Sequence, residues 1–396
     1  MLTLGEECDV ITKGTTPTSV GFDFEQQGLV SFVKVESIDA MGRFIGSKLS
    51  RISPKAHEKL KRSQLQEGDI LFSIAGALGR TAIVTSDILP ANTNQALSII
   101  RLRAQSKLLP RFALSALGSG YALAQIEKLK GGVAQQNLSL RQMKDFKIPA
   151  PPLAEQEEIV EVLDKAFAAI DQAKANIEQN IANAKELFQS KLNQIFSQKG
   201  DGWEEKPVAE IAEHRLGKML DKNKNRGEPQ PYLRNKNVRW FNFELEDILE
   251  MKFESHEWDK YTVRRGDVVI CEGGYPGRSA IWASDEPIFF QKAVHRVRFH
   301  EQTYNKWFVY LLFHQDFTGK LKDHFTGTGI QHFTGKALSK FPVPVGPAGD
   351  VENLIKGLDS LSDATRSVEH FYQAKLISLE ELKKSILQKA FAGELT

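Results

Sequence analysis

The chain has 396 residues, of which 41% are hydrophobic and 26% charged, the balance of an ordinary globular protein of two or three domains. Its net charge of +2 excludes the chain-wide basic field of a protein that coats nucleic acid without selectivity. The longest apolar run, Trp307 to Phe313, falls far short of the ~20 residues a membrane helix needs. The opening Met1-Leu-Thr-Leu-Gly-Glu-Glu7 lacks the basic and apolar regions of a signal peptide, so no membrane partner and a cytoplasmic location are expected. Cys8 and Cys271 match no metal spacing and are expected as reduced thiols.

In chain order, four segments are expected. Residues 1–150 form a first globular domain, with a net charge of +6. Residues 151–199 form a long central helix (−3), 200–349 a second globular domain (+1) and 350–396 a C-terminal long helix (−2). In the first domain Glu67-Gly-Asp69 leads into the apolar run Ile70 to Ile74, a turn and then a buried strand. Ala96 to Leu102 reads as a second strand, and Phe112 to Leu129 as helical. Pro149, Pro151 and Pro152 then stop that domain and open the first long helix.

The same elements recur. Glu67 to Val84 matches Arg265 to Trp282, and Gln136 to Pro149 matches Gln331 to Pro344. Ala293 to Phe299 repeats the second strand, and Phe308 to Phe325 the helical stretch. The match runs on without a gap, so that Ser190 falls on Ser385 and Phe196 on Phe391. The fold class expected is therefore α+β: two mixed α/β domains in a tandem, pseudo-twofold repeat, joined by two long helices.

The helices carry heptad spacing. The first places Ile159, Leu163, Ile170, Ile177, Asn180 and Leu187 on one stripe. The second places Leu354, Leu358, Leu361, Val368, Tyr372, Lys375, Leu379, Leu382 and Ile386 there. A stripe held this long must be buried, and the other copy is the obvious partner, as an antiparallel coiled coil. Asn180 and Lys375 would then make one polar layer, either a tolerated exposed position or a device that fixes register.

Internal twofold symmetry with two separated, non-identical domains suits a ligand that also has twofold symmetry. Duplex DNA has it, and two linked readers fix the separation of two half-sites. Phosphates are met by basic and hydroxyl groups, and bases by Arg, Lys, Asn, Gln, Asp and Glu. In the first domain the candidates are Lys13, Thr15, Lys34, Arg43, Lys61, Arg62, Arg80 and Gln136. In the second the richest stretch holds Lys218, Lys222, Lys224, Arg226, Arg234, Asn235, Lys236 and Asn237. Tyr275, Arg278 and His332 lie on later turns. Because Gly-Arg recurs at Arg80 and Arg278, a phosphate or structural role is expected there rather than base reading.

The chain resembles the specificity subunit of type I restriction-modification systems. The resemblance rests on the tandem strand–turn elements, on Pro151-Pro-Leu-Ala-Glu-Gln-Glu157 and on the ending Leu387-Gln-Lys-Ala-Phe-Ala-Gly-Glu-Leu395. It covers nearly the whole chain but departs at Gly346-Pro-Ala-Gly-Asp350. It implies that each globular domain is a target-recognition domain for one half of a two-part site on double-stranded DNA. It implies that the helices set the spacing and dock two methyltransferase subunits, which bind S-adenosylmethionine, and that motor–nuclease subunits can join. This chain would then hold no cofactor and no metal and perform no catalysis. Its Pro-Pro pair lacks the flanks of an adenine methyltransferase motif, and Gly335-Lys336 misses the P-loop pattern at two positions. None of the seven histidines from His214 to His332 pairs at metal spacing. The alternative is a coiled-coil scaffold whose globular parts bind proteins.

Overall fold

The computed structural model describes all residues except 40–41, 131–136, 198–201, 222 and 395–396, with the side chains of 129–130 also undescribed. The chain forms two compact units. One comprises Met1–Glu178 with Gln373–Thr396, the other Gln179–Tyr372.

In the first unit a four-stranded antiparallel sheet runs in the order Cys8–Lys13, Leu97–Leu102, Ile70–Ser73, Thr81–Ile83. A second sheet places Val30–Val33 between antiparallel Ser50–Ile52 and parallel Ala91–Thr93. The second unit repeats this plan. Its main sheet is ordered Ala212–Leu216, Val294–Phe299, Val268–Cys271, Ser279–Ile281. Its other sheet is ordered Leu249–Phe253, Glu228–Leu233, Ile288–Phe290, Thr262–Val263. The central strands Ile70–Ser73 and Val268–Cys271 are buried throughout, as their uninterrupted apolar runs require. The stretch read as one helix from Phe112 is two, Pro110–Leu117 and Gly120–Lys130. Its counterpart stops at Phe317, where Gly319 takes φ +78° and the chain turns into a short 3-10 segment.

The Gly-Asp motif has one physical purpose in both units. Buried Asp69 accepts from the Gln66 backbone N–H at 2.8 Å and from Arg101 Nε and Nη2, both at 2.7 Å. Buried Asp267 accepts from Arg264 N at 2.7 Å and from Arg298 Nε and Nη2 at 2.7 and 2.6 Å. Each carboxylate closes a turn and clamps it to the neighbouring strand.

Helices Leu153–Ser197 and Ala348–Ala392 are each unbroken. Within the first unit Lys174 pairs with Glu380, and Lys383 lies over the Phe167 ring at 4.7 Å. Within the second, Asn180 Nδ2 donates to the Tyr372 hydroxyl at 3.0 Å, and Lys185 meets Glu369 at 3.5 Å. Both sets of partners run in opposite directions, so the packing is antiparallel.

The heptad reading needs correction in its later turns. Ile159, Leu163, Ile170 and Ile177 are buried, but Leu187 is 60% exposed and Phe188 and Leu192 are buried in its place. On the other helix Leu382 is 47% exposed while Lys383 faces the partner helix. Asn180 bonds Tyr372 in an exposed setting, and Lys375 is exposed as well, so neither occupies a buried layer. An undistorted helix has 3.6 residues per turn, so a strict seven-residue stripe drifts by about 20° each heptad. After Ile177 the buried position shifts by one, and Phe188 and Leu192 pack with Leu358 of the second helix and with Tyr310 and Phe313 of the second domain.

Each long helix is tied to its own domain. Arg111 meets Asp164 at 2.7 Å in the first unit, and Lys306 meets Asp359 at 2.7 Å in the equivalent place in the second. In Pro151-Pro-Leu-Ala-Glu-Gln-Glu157 the essential side chain is Gln156, fully buried. It donates to the Lys107 and Pro151 carbonyls and accepts from Leu109 N. Where the second junction departs, Val351 takes that place inside an apolar cluster. A polar staple and a hydrophobic contact thus do the same job.

Candidate nucleic-acid interface

In the second unit, Asn235, Tyr275, Arg278 and His332, distant in sequence, converge on one Gly-rich turn. Strand Val268–Cys271 ends at Glu272-Gly-Gly-Tyr-Pro-Gly277, with φ +79° at Gly274 and +86° at Gly277, values that suit glycine. Asn235 Nδ2 donates to the Gly273 carbonyl at 2.9 Å. Arg278 Nη2 donates to the Asn235 carbonyl at 3.1 Å, and its guanidinium lies 4.9 Å from the Tyr275 ring centre. The Tyr275 hydroxyl reaches Asp316 Oδ2 at 3.3 Å. His332, at the end of a short loop closed by the Thr326–His332 bridge, donates from Nδ1 to Glu272 Oε2 at 3.0 Å. Beside this patch Arg234 and Lys236 both meet Asp247 at 2.9 Å. Their bonds hold the Asp247 carboxyl below its ordinary range, Lys236 contributing most.

Other candidates separate by burial. Lys224 and Arg226 are exposed on the loop before Glu228; Arg226 donates to the Asn223 carbonyl at 2.8 Å. Lys218 is buried, its ammonium held by Glu257 at 2.5 Å and by the Lys252 carbonyl at 3.0 Å, so it is a structural cation rather than a phosphate contact. Asn237 is 1% exposed and spends its amide on Arg234 N and the Glu244 and Asp247 carbonyls, which removes it from base reading. Both were misplaced because a polar stretch in sequence does not show which side chains turn inward. Lys222 and Gln136 lie outside the described residues.

In the first unit the described candidates make separate contacts. Lys13 ends a strand, exposed. Thr15 donates its backbone N–H to Thr93, and the Thr16 hydroxyl bonds Gln95 at 2.6 Å. Lys34 lies over the Phe24 ring at 4.3 Å. Lys61 and Arg62 are exposed on a 3-10 turn. Arg43 pairs with Asp39 at 2.9 Å and with Asp171 of the long helix at 3.5 Å, tethering a loop to the spacer. Arg80 donates to the Val35 and Ile38 carbonyls at 3.1 and 2.8 Å. Arg80 and Arg278 therefore anchor the same turn in each repeat, which decides for the structural role.

Sequence reasoning missed Glu272 and Asp316. The signal for Glu272 was present: the repeat aligns it with Ile74, a core residue of the first domain. Among the described residues, Glu254, His256 and Glu257 form the one grouping of metal-ligating side chains. Glu257 is already paired to the Lys218 ammonium, so the group is an ion-paired turn.

Duplicated α+β domains, each followed by one long helix and carrying a differently equipped polar turn, define a tandem-repeat protein with two unlike polar surfaces. The family model described as the type I restriction modification DNA specificity domain matches residues 1–183 and again 200–375, and the chain belongs to this family. It is 32% identical over 149 residues to the EcoBI specificity subunit of Escherichia coli, 37% of this chain. That match spans only 31% of the length of the curated relative. A chain from a structure on complex assembly and conformational transition of the type I R-M system superposes with a TM-score of 0.77 at 18% identity, covering 100% of this chain and 97% of that one. The HsdS subunit from Thermoanaerobacter tengcongensis gives 0.60 at 17% identity, covering 100% and 96%. At such identities the two structures establish the shared fold. No helix among the described residues is long and apolar enough to cross a membrane.

Proposed function

We propose that this chain is the DNA-specificity subunit of a type I restriction-modification enzyme, each globular domain reading one half of a two-part duplex target. The observation that carries this reading is a duplicated scaffold with divergent exposed chemistry. The Asp69–Arg101 and Asp267–Arg298 clamps and the Arg80 and Arg278 anchors recur. The exposed polar groups around them do not. A repeat built this way holds two reading surfaces in equivalent frames while each selects its own bases.

In this reading the paired helices set the half-site separation and dock two adenine methyltransferase subunits, which supply S-adenosylmethionine and the catalytic residues. Motor–nuclease subunits join that assembly for cleavage. The chain's own contribution is binding and positioning. Exposed Lys224, Arg226, Lys61 and Arg62 meet phosphates, and the turn around Glu272 faces base edges. The test is to reconstitute the chain with the methyltransferase subunit, add S-adenosylmethionine and genomic DNA, and map methyladenine by sequencing. A two-part motif with a fixed unread gap is expected. Methylation by a stable complex without sequence preference would overturn the reading in favour of a protein-binding scaffold.

A further inference from the structure

The second domain carries an acid and a histidine where the first carries neither. Main-chain bonds fix the equivalence. Phe333 N donates to the Glu272 carbonyl at 2.7 Å, and Leu138 N donates to the Ile74 carbonyl at 2.9 Å, each tying the end of the central strand to the segment that leads toward the spacer. In this common frame Glu272 stands for Ile74, and His332 for Asn137. Ile74 is packed in the core. Glu272 instead directs its carboxylate to His332.

That contact decides what the imidazole presents. An ionised carboxylate only accepts, so Nδ1 carries the hydrogen, and in the neutral ring Nε2 is left as an acceptor. The His332 side chain is 41% exposed, and Nε2 has no partner among the described residues. The turn is shaped around the ring: a Cβ at Gly273 would stand 3.0 Å from Nδ1, and one at Gly274 would stand 2.4 Å from Asn235 Nδ2. A lone neutral acceptor is unsuited to phosphate, which offers only acceptors itself. It suits an exocyclic amino group. In the major groove adenine N6 and cytosine N4 donate, whereas guanine O6 and thymine O4 accept.

We propose that His332 Nε2 reads an exocyclic amino group, adenine N6 or cytosine N4, in the half-site of the second domain, and that Glu272 is the positioning residue that sets its tautomer. This rests on the DNA-specificity reading above. The reconstituted complex with its methyltransferase subunit is compared as wild type, His332→Ala and Glu272→Gln by methylation mapping on genomic DNA. The wild type yields a two-part motif. His332→Ala loses discrimination by about tenfold at one base pair of one half-site, leaving the other half unchanged. Glu272→Gln lets the ring take either tautomer, because an amide can donate as well as accept, so the same position begins to admit guanine or thymine. That change of preference is not expected from a merely structural role. Whether the affected pair is A·T or G·C identifies which amino group is read, adenine N6 or cytosine N4.

A second measurement needs no protein variant. Replacing the base at that position with purine or 2-pyrimidinone, which lack the amino group, weakens wild-type binding by a similar factor. If His332→Ala keeps full discrimination, or the amino-free duplex binds as well as the natural one, the proposal falls while the specificity reading stands. Loss of binding on removing the O6 or O4 carbonyl of the partner base, with no loss on removing the amino group, instead overturns the acceptor assignment. A wild-type complex with no motif removes the specificity reading, and this proposal with it.

Discussion

Replacing Asp69 by Asn tests whether the repeated turn is held as the geometry indicates. The Asp69 side chain has no solvent exposure and accepts three hydrogen bonds, two of them from Arg101 at 2.7 Å. Asn has the same shape but one acceptor oxygen, so its NH₂ faces the guanidinium in either orientation, and in one of them the Gln66 N–H as well. Both are donors. Charge-assisted bonds contribute about 1.5–3 kcal/mol each, and breaking a buried pair from one side costs about 3–5 kcal/mol. Arg101 is 27% exposed and keeps some hydration, which places the expected loss near the lower end, about 3 kcal/mol. The assay is hydrogen exchange under increasing urea, resolved to Ile70–Ser73 and Leu97–Leu102 and to their repeat partners, because a chain of two units need not unfold in one step. Exchange should accelerate in the first unit alone, and Asp267→Asn should do the same in the second. Adding Arg101→Met to Asp69→Asn should restore part of the loss, since neither charge then remains unpaired. A loss below about 1 kcal/mol, or an equal loss in both units, would refute the clamp as the element that holds the turn.

Phe188→Ala and Leu192→Ala should each cost about 3–5 kcal/mol, whereas Leu187→Ala and Leu382→Ala should stay within about 0.5 kcal/mol; thermal melts followed by helical circular dichroism compare them. Burial lowers His295 and His314 to about 4, with Lys320 adding to the effect at His314. Unfolded imidazoles titrate near 6.5. The stability from keeping these rings neutral is therefore complete above that pH and is lost progressively as pH falls toward 4, by about 3 kcal/mol for each ring. Unfolding of the second unit followed from pH 7.5 to 4 should show this, and His295→Phe should flatten the slope. Lys224→Ala should reduce the salt dependence of DNA affinity by about one unit if it meets one phosphate. Arg278→Ala should lower stability and leave that slope unchanged, as read by binding titrations at several salt concentrations. Burial raises the Cys271 thiol to about 11, so it should resist alkylation at pH 8 until the second unit unfolds.

The repeat, the strands within each half and the two helices were legible in the chain itself, because apolar periodicity and turn residues act over a few neighbours. Gly-Asp before an apolar run announces a turn and a buried strand wherever it occurs. The sequence also determined that the two domains differ, since the halves diverge between matched elements. Tertiary structure alone decided which polar groups face solvent. Lys218 and Asn237 look like Lys224 and Asn235 in a linear reading, but Glu257 and the Glu244 and Asp247 carbonyls draw the first pair inward. Likewise, the spacing of Leu187 and Leu382 fits a heptad, but the drift of real helices, and for Phe188 the rings of Tyr310 and Phe313, bring Phe188 and Lys383 to the contact instead. Glu272 and His332 stand sixty positions apart, and no local rule joins them. Their pairing exists because one sheet brings the end of a strand beside the segment that leaves the domain.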